Sequence, residues 1–324
     1  MLLLYVLLFL ISSFTLYVSG GRLVSGLARI ARFLGLKEFV VAFFVMAFAA
    51  SLPNLVVGIT AAFRAIPQLS FGDVAGNNII TLTVAAALAV FFSKDRFVPT
   101  ESRLIQTSAI FTALAAILPL LLVLDGELSR LDGLILILLF LLYNFWLFSK
   151  KERFSQVYDD NENGEIAGAI KKSKLFIKDA GKTFLGIILL IGAAYGIVIS
   201  AVFFAQFFKV PIILIGLLIT GLGSALPETY FAVISARRRD TWMVLGNLMG
   251  AVIVPATLVL GVVALIHPIV MTNFSQLAAA RFFLIASALF FYFFARTGKK
   301  ITKKEGIILL TLYILFVITE LLLV

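Results

Sequence analysis

The chain has 324 residues, of which 62% are hydrophobic and only 14% are charged, and its formal net charge is +10. The apolar runs in the sequence are too long for the core helices of a soluble domain. They predict a polytopic membrane protein. The absence of cysteine excludes disulfides, thiolate metal sites and cysteine nucleophiles. Basic loops beside an anionic membrane leaflet account for the net charge, so it indicates no nucleic-acid partner.

Ten apolar segments are long enough to cross about 30 Å of hydrocarbon at roughly 20 residues each. In chain order they are 1–19, 38–63, 71–93, 104–124, 131–149, 183–207, 211–236, 241–266, 277–295 and 304–323. The first lacks the basic residues that precede the apolar core of a signal peptide, which favours an uncleaved helix. The sequence therefore predicts an all-α membrane protein with two sets of five transmembrane helices.

The basic residues predict the orientation of these helices. If the amino terminus is outside, 23 of the 27 Lys and Arg residues fall in cytoplasmic loops, and the four outside are Arg64, Arg130, Lys209 and Arg281. This asymmetry follows the positive-inside rule. With five helices per half, the two halves enter the membrane from opposite sides, as in many secondary transporters. We expect a multi-pass protein of the cell membrane with both termini outside.

The domain boundaries follow from the same helix count. Residues 1–149 form the first five-helix repeat, 150–182 a cytoplasmic linker and 183–324 the second repeat, all within one integral membrane domain. Oligomeric state cannot be inferred, since surfaces that face lipid and surfaces that face a partner share one composition.

A sequence motif occurs twice, 174 positions apart, which indicates an internal duplication. Pro53 and Pro227 lie in corresponding apolar segments, and each is followed by a polar residue, Asn54 or Glu228. Proline inside a membrane helix frees a backbone carbonyl that can bind a cation. Matching glycines follow in both copies, where close helix packing is their simplest interpretation; they are Gly72, Gly76, Gly246 and Gly250.

Polar residues near these prolines are candidates for a cation site. Glu228 lies inside an apolar segment, where a charge costs about 2.5–3.5 kcal/mol on insertion scales, so it is a functional candidate by default. A neutral or Arg-paired glutamate that joins helices is the alternative. Asp73, Asn77 and Thr81 recur at every fourth position and so share one helix face. Carboxylate, amide and hydroxyl oxygens suit a hard cation such as Ca²⁺.

At these motifs the chain resembles the sodium/calcium exchanger superfamily of cation/Ca²⁺ antiporters. The repeats of that superfamily read G-T-S-L-P-E and then G-N-x-x-G-S-N-x-x-N or D. In this chain they are matched by segments 50–54, 72–78, 223–228 and 246–251. The resemblance implies alternating-access cation antiport, with the first helix of each half sliding across the others. It implies no cofactor, only transported Ca²⁺, Na⁺ or H⁺. The site residues expected on this basis are Ser51, Asn54, Asp73, Asn77, Thr81, Ser224 and Glu228.

The chain departs from the family pattern at the ligand positions themselves. Asn54 replaces one glutamate, Asp73 replaces an asparagine, Asn77 replaces a serine, and Thr81 and Pro255 stand where Asn or Asp is usual. These departures leave alternatives open: a carrier for a monovalent cation or another solute on the same scaffold, or a transport-inactive membrane scaffold. No serine–histidine or metal-bound-water arrangement indicates an enzyme.

The predicted orientation can be tested by cysteine labelling, because the natural chain contains no cysteine. Ser155→Cys lies in the predicted linker and should react only from the cytoplasmic side. Labelling of intact cells by a membrane-impermeant reagent would contradict the inverted topology.

Overall fold

In a computed structural model of the chain, residues 1–33, 38–149, 169–239, 241–271 and 277–323 are described. They form ten long helices, which we number in chain order: α1 Leu2–Phe33, α2 Glu38–Phe63, α3 Gln68–Phe92, α4 Arg103–Leu122, α5 Arg130–Ser149, α6 Ala169–Phe208, α7 Ile212–Arg237, α8 241–266, α9 Ala278–Arg296 and α10 Lys303–Leu323. Ser155 and most of the predicted linker lie outside the described residues.

The helices match the predicted membrane segments closely. Nine of them are long and apolar enough to cross a membrane within the described residues, and α2 contributes the shorter apolar stretch Ser51–Phe63. The all-α polytopic fold is thereby confirmed. Two predicted boundaries need correction: α1 continues beyond residue 19 to Phe33, and α6 begins at Ala169, inside the predicted linker. Hydropathy marks the apolar part of a helix only, whereas hydrogen bonding continues beyond the hydrocarbon.

Two short β-ladders connect the two halves of the chain. Strand β1 (Phe97–Pro99) pairs with β4 (Lys300–Thr302), and β2 (Glu127–Leu128) pairs with β3 (Ile269–Val270), both antiparallel. β1 follows α3 just as β3 follows α8, and β2 precedes α5 just as β4 precedes α10. Exchanging the two halves therefore exchanges the two ladders. The ladders place equivalent loops at opposite ends of the helices, which is the arrangement of inverted repeats.

Helix starts and irregular helical segments obey the same symmetry. Ser129 and Asp132 hydrogen-bond reciprocally at the start of α5, as Thr302 and Glu305 do at the start of α10. Such capping boxes satisfy backbone N–H groups that the first helical turn leaves free. Both α3 and α8 contain a π-helical segment at equivalent positions, Thr81–Ala85 and Pro255–Val259, and α7 contains a third at Gly216–Thr220. π-Helical segments of this kind are frequent at functional sites.

The helices α3 and α8 form the centre of the bundle. Within their apolar segments, 83% of the residues of α3 and 78% of those of α8 are buried inside the protein, compared with 17% for the described part of α1. α1 packs mainly along α6, and both lie beside α2. The second part of each repeat motif, which contains Asp73 and Asn77 in the first half, is thus carried by the most enclosed helices.

Glycines allow α3 and α7 to touch through their backbones. A Cβ atom on Gly72 would overlap the carbonyl oxygen of Ile213, and one on Gly76 would overlap that of Leu217. From the other side, a Cβ on Gly216 would lie 2.5 Å from the carbonyl oxygen of Leu69. No backbone atom can move aside as a flexible side chain would. This contact brings the first repeat against the second at the level of Asp73.

The contact predicts that Gly76→Ala destabilises the protein by about 1–3 kcal/mol, the usual cost of overpacking. Gly192→Ala is the matched control, since Gly192 in α6 is exposed and a Cβ there meets no atom within 4 Å. In detergent, the thermal unfolding midpoint should be lower for Gly76→Ala than for the wild type. The midpoint of the control should not be lowered. Equal midpoints for the two variants would show that the helices separate at little cost.

Candidate functional site

The polar residues of the repeat motifs lie on four helices that pack together, α2, α3, α7 and α8. α2 and α3 come from the first repeat, and α7 and α8 from the second. Six of the seven sequence-predicted site residues are buried; they are Ser51, Asn54, Asp73, Asn77, Thr81 and Glu228. The seventh, Ser224, is partly buried. The motifs of the two halves therefore meet inside the protein.

Asp73 connects α3 of the first repeat to α7 of the second. The Ser224 hydroxyl lies 3.2 Å from Asp73 Oδ1, within hydrogen-bonding distance. Asp73 is 3% exposed and, among the residues that the structure describes, has no Lys or Arg partner. The glycine contact between α3 and α7 makes this approach possible, because a larger residue at 72 or 76 would separate the helices.

Glu228, on α7, is the second buried carboxyl group of the site. Its side chain is 2% exposed, and its Oε2 atom has no hydrogen-bond partner. The Asn247 Nδ2 group on α8 donates to the backbone carbonyl of Glu228 over 3.0 Å, which fixes this turn of α7 against α8. Ionised carboxylates on neighbouring helices such as α3 and α7 repel each other. A cation beside both carboxyls would relieve this repulsion.

Asn77 connects the repeats at equivalent positions. Its Nδ2 group donates to the backbone carbonyl of Ala251, 174 residues later, over 3.0 Å. A residue can touch its own repeat equivalent only near the pseudo-twofold axis that relates the halves. Asn77 therefore lies at the centre of the inverted repeat, and its Oδ1 atom has no partner.

Several other buried polar atoms lack hydrogen-bond partners in the described part of the protein. On α3 these are Asn78 Oδ1, Thr81 Oγ1 and Ser70 Oγ, and on α2 it is Asn54 Nδ2. A buried polar atom without a partner costs about 1–3 kcal/mol and calls for an explanation. Oxygens that accept a cation would explain those on α3.

The site also contains residues that sequence reasoning did not include. Asn78 is 1% exposed and directly follows Asn77 in the repeat motif, yet its position beside the polar stripe, rather than on it, gave no reason to select it. Thr220 is buried one helical turn before Ser224, inside the π-helical segment of α7. Sequence periodicity assumes a regular helix and so gives no signal for this position.

The candidate site contains two acidic residues, Asp73 and Glu228. Its other polar residues carry neutral amide or hydroxyl groups. No group of three or more His, Cys, Asp or Glu side chains placed to hold a metal occurs in the ranges that the structure describes. Two carboxyls with amide and hydroxyl oxygens suit a hard cation held reversibly.

Comparison with known proteins agrees with this arrangement. A family model described as sodium/calcium exchanger protein matches residues 4–149 and 180–322. The chain belongs to the sodium/calcium exchanger family. The matched ranges include both repeat motifs and omit only the ends and the segment between the halves.

Individual relatives cover nearly the whole chain. An uncharacterized membrane protein of Methanocaldococcus jannaschii is 27% identical over 322 residues, with 97% of both chains covered. The sodium/calcium exchanger MaX1 of Methanosarcina acetivorans is 25% identical, and the match covers 91% of this chain and 92% of the relative. A solved structure of the sodium-calcium exchanger NCX_Mj, soaked with Na⁺ and Sr²⁺, superposes with a TM-score of 0.63 at 26% identity and covers 98% of each chain.

Proposed function

We propose that this member of the sodium/calcium exchanger family is a secondary active antiporter that moves Ca²⁺ or a related cation against Na⁺ or H⁺. The observation that carries the proposal is the pair of buried carboxyls, Asp73 on the first repeat and Glu228 on the second. Each half of the protein supplies one negative charge to the enclosed region between the repeats. Together they balance one divalent ion.

Neutral oxygens complete the proposed coordination, since Ca²⁺ takes about six to eight oxygen ligands. The proposed ligands are the seven residues expected from the sequence: Ser51, Asn54, Asp73, Asn77, Thr81, Ser224 and Glu228. Pro227 adds a further oxygen by its chemistry, because it cannot donate to the carbonyl of Gly223 one turn earlier. Free carbonyls inside a membrane helix are tolerated where they line a cavity or bind an ion.

The charge of the site explains why transport would be an exchange. Moving the site between the two sides of the membrane with two uncompensated carboxylates would be costly in a low-dielectric interior. Na⁺ or H⁺ must therefore replace Ca²⁺ before the site returns. Because the described residues give neither carboxyl a basic partner, the ions themselves supply the neutralising charge.

The architecture supports alternating access between two inverted repeats. Both β-ladders join loops beside α3, α4, α5, α8, α9 and α10, whereas α1 and α6 pack mainly with each other. We propose that the α1–α6 pair slides across the ladder-bound helices. The protein would lie in the cell membrane, with lipid and small cations as its partners and both termini outside.

A carrier for a monovalent cation is the second candidate, and Asn54 is the observation that favours it. Asn54 supplies no charge where the related motif of the second half has Glu228. If Asp73 remains bound to Ser224 and does not reach the ion, the site carries a single negative charge. Na⁺ or another monovalent cation would then suffice.

Transport assays on the Glu228→Gln variant test the proposed function. The substitution removes the charge and keeps the shape, so Ca²⁺ uptake into proteoliposomes should fall to background under either an outward Na⁺ gradient or a pH gradient. Glu320→Gln is the matched control, because Glu320 is also a buried carboxyl but lies on α10. The control should retain uptake.

Equal uptake by the Glu228→Gln variant and the wild type would assign Glu228 to helix packing and remove the basis of the proposal. Comparing the Na⁺ arm with the pH arm in the wild type identifies the exchanged ion.

Asp73→Asn distinguishes the divalent from the monovalent candidate. The variant reduces the site charge from −2 to −1, so Ca²⁺ affinity measured by calorimetry should fall at least about tenfold, whereas Na⁺ affinity changes much less. Adding Asn54→Glu in that background returns a carboxylate on α2 and should recover Ca²⁺ affinity. If Ca²⁺ binding is indifferent to Asp73→Asn, Asp73 is no ligand and the monovalent candidate is favoured.

A further inference from the structure

The backbone of α8 lacks one of its hydrogen-bond donors beside the candidate site. In an α-helix each N–H group donates to the carbonyl four residues earlier, and proline has no N–H group. Pro255 stands four residues after Ala251, so the Ala251 carbonyl loses its helical donor. Ala251 is only 1% exposed, which keeps water from replacing that donor.

The side chain of Asn77 provides the replacement. Its Nδ2 group lies 3.0 Å from the Ala251 carbonyl oxygen and donates to it across the interface between the repeats. Asn77 is fully buried, so neither partner has a competing interaction with solvent. A carbonyl in such a place is costly unless it accepts a hydrogen bond.

The equivalent turn of α3 serves as an internal comparison. There the residue in the position of Pro255 is Thr81, whose backbone N–H donates to the carbonyls of Asn77 and Asn78. The α3 backbone therefore satisfies its own carbonyl, and no side chain is required from α8. The interaction is asymmetric because the proline is present in one repeat only.

This hydrogen bond fixes the orientation of the Asn77 amide. Only the Nδ2 end of the amide can donate, and an Oδ1 atom facing the Ala251 carbonyl would be repelled. The Oδ1 end must therefore point away from α8. Oδ1 is buried and has no partner in the described structure. It lies on the residue between Asp73 and Thr81 in the polar stripe of α3.

We infer that Pro255 is a positioning residue: it leaves the Ala251 carbonyl free to hold the Asn77 amide, so that Asn77 Oδ1 is directed to the cation. Pro255 itself offers the ion no ligand atom. The inference rests on the proposed cation site and adds the second-repeat residue that orients a first-repeat ligand. It also assigns a use to a position where the related proteins usually have Asn or Asp.

A double-mutant cycle tests the inference with the full-length protein. Pro255→Ala restores an N–H group for the Ala251 carbonyl and releases the Asn77 amide, and Asn77→Ser removes the amide. We expect Pro255→Ala alone to weaken Ca²⁺ binding by about three- to tenfold, the effect of losing one orienting hydrogen bond. In the Asn77→Ser background, the same substitution should leave Ca²⁺ affinity unchanged. Pro119→Ala, a similar change inside α4, should not affect binding in either background.

The unfolding midpoint without divalent ions provides a second readout that does not depend on binding. Asn77→Ser should lower it in the protein with Pro255, where the Ala251 carbonyl is left without a donor. In the Pro255→Ala background, Asn77→Ser should lower the midpoint much less. A change from proline that acted only by straightening α8 would give additive effects on both the midpoint and the affinity.

The outcomes separate the inference from the proposed function. The positioning role would be overturned if Pro255→Ala had no effect on Ca²⁺ affinity, or if its effect and that of Asn77→Ser were additive. Either result would leave the exchanger proposal intact, because the protein still binds Ca²⁺. A wild type that binds no Ca²⁺ would overturn the exchanger proposal, while coupled midpoints would still establish the pairing of Pro255 with Asn77. Coupling in both readouts supports both.

Discussion

The carboxyl groups of Asp73 and Glu228 are enclosed between the two repeats of this protein, and among the described residues neither is paired with a basic side chain. Hydrocarbon tolerates such groups only if an ion, a proton or a set of donors compensates them. The Ser224 hydroxyl provides part of this compensation for Asp73, and the Asn247 amide fixes the backbone at Glu228. We propose that a cation supplies the rest. The glycine contact between α3 and α7 holds the helix of Asp73 directly against the helix of Glu228.

The inverted repeat is much closer in its scaffold than in its chemistry. Capping boxes, π-helical segments and β-ladders recur at equivalent positions in the two halves. The polar residues differ between the halves. In the alignment of the two repeats, Asp73 corresponds to Asn247, Asn54 to Glu228 and Thr81 to Pro255. Two of the departures from the family pattern belong together in the structure, since Pro255 frees the carbonyl that Asn77 binds. In the sequence, Asn77 in place of a serine and Pro255 in place of a ligand look like separate changes; in three dimensions they belong to one interaction.

Much of this could be predicted from the sequence, because the membrane imposes strong constraints. Hydropathy located all ten helices, since each must bury an apolar stretch of similar length. The spacing of Asp73, Asn77 and Thr81 indicated a shared face. Sequence periodicity could not reveal the π-helical segment of α7 or the burial of Thr220 within it. It also gave no indication that the Asn77 amide bonds to Ala251, because that contact depends on how the two repeats meet.

The central claim is that Asp73 and Glu228 bind one divalent cation between the repeats. Anomalous diffraction from crystals equilibrated with Sr²⁺, a heavier substitute for Ca²⁺, tests it most directly. The account predicts one strong peak within the enclosed region, with a carboxylate oxygen of Asp73 and one of Glu228 among its ligands. A peak that contacts only one of the two carboxyls, or no peak between α3 and α7, would contradict it.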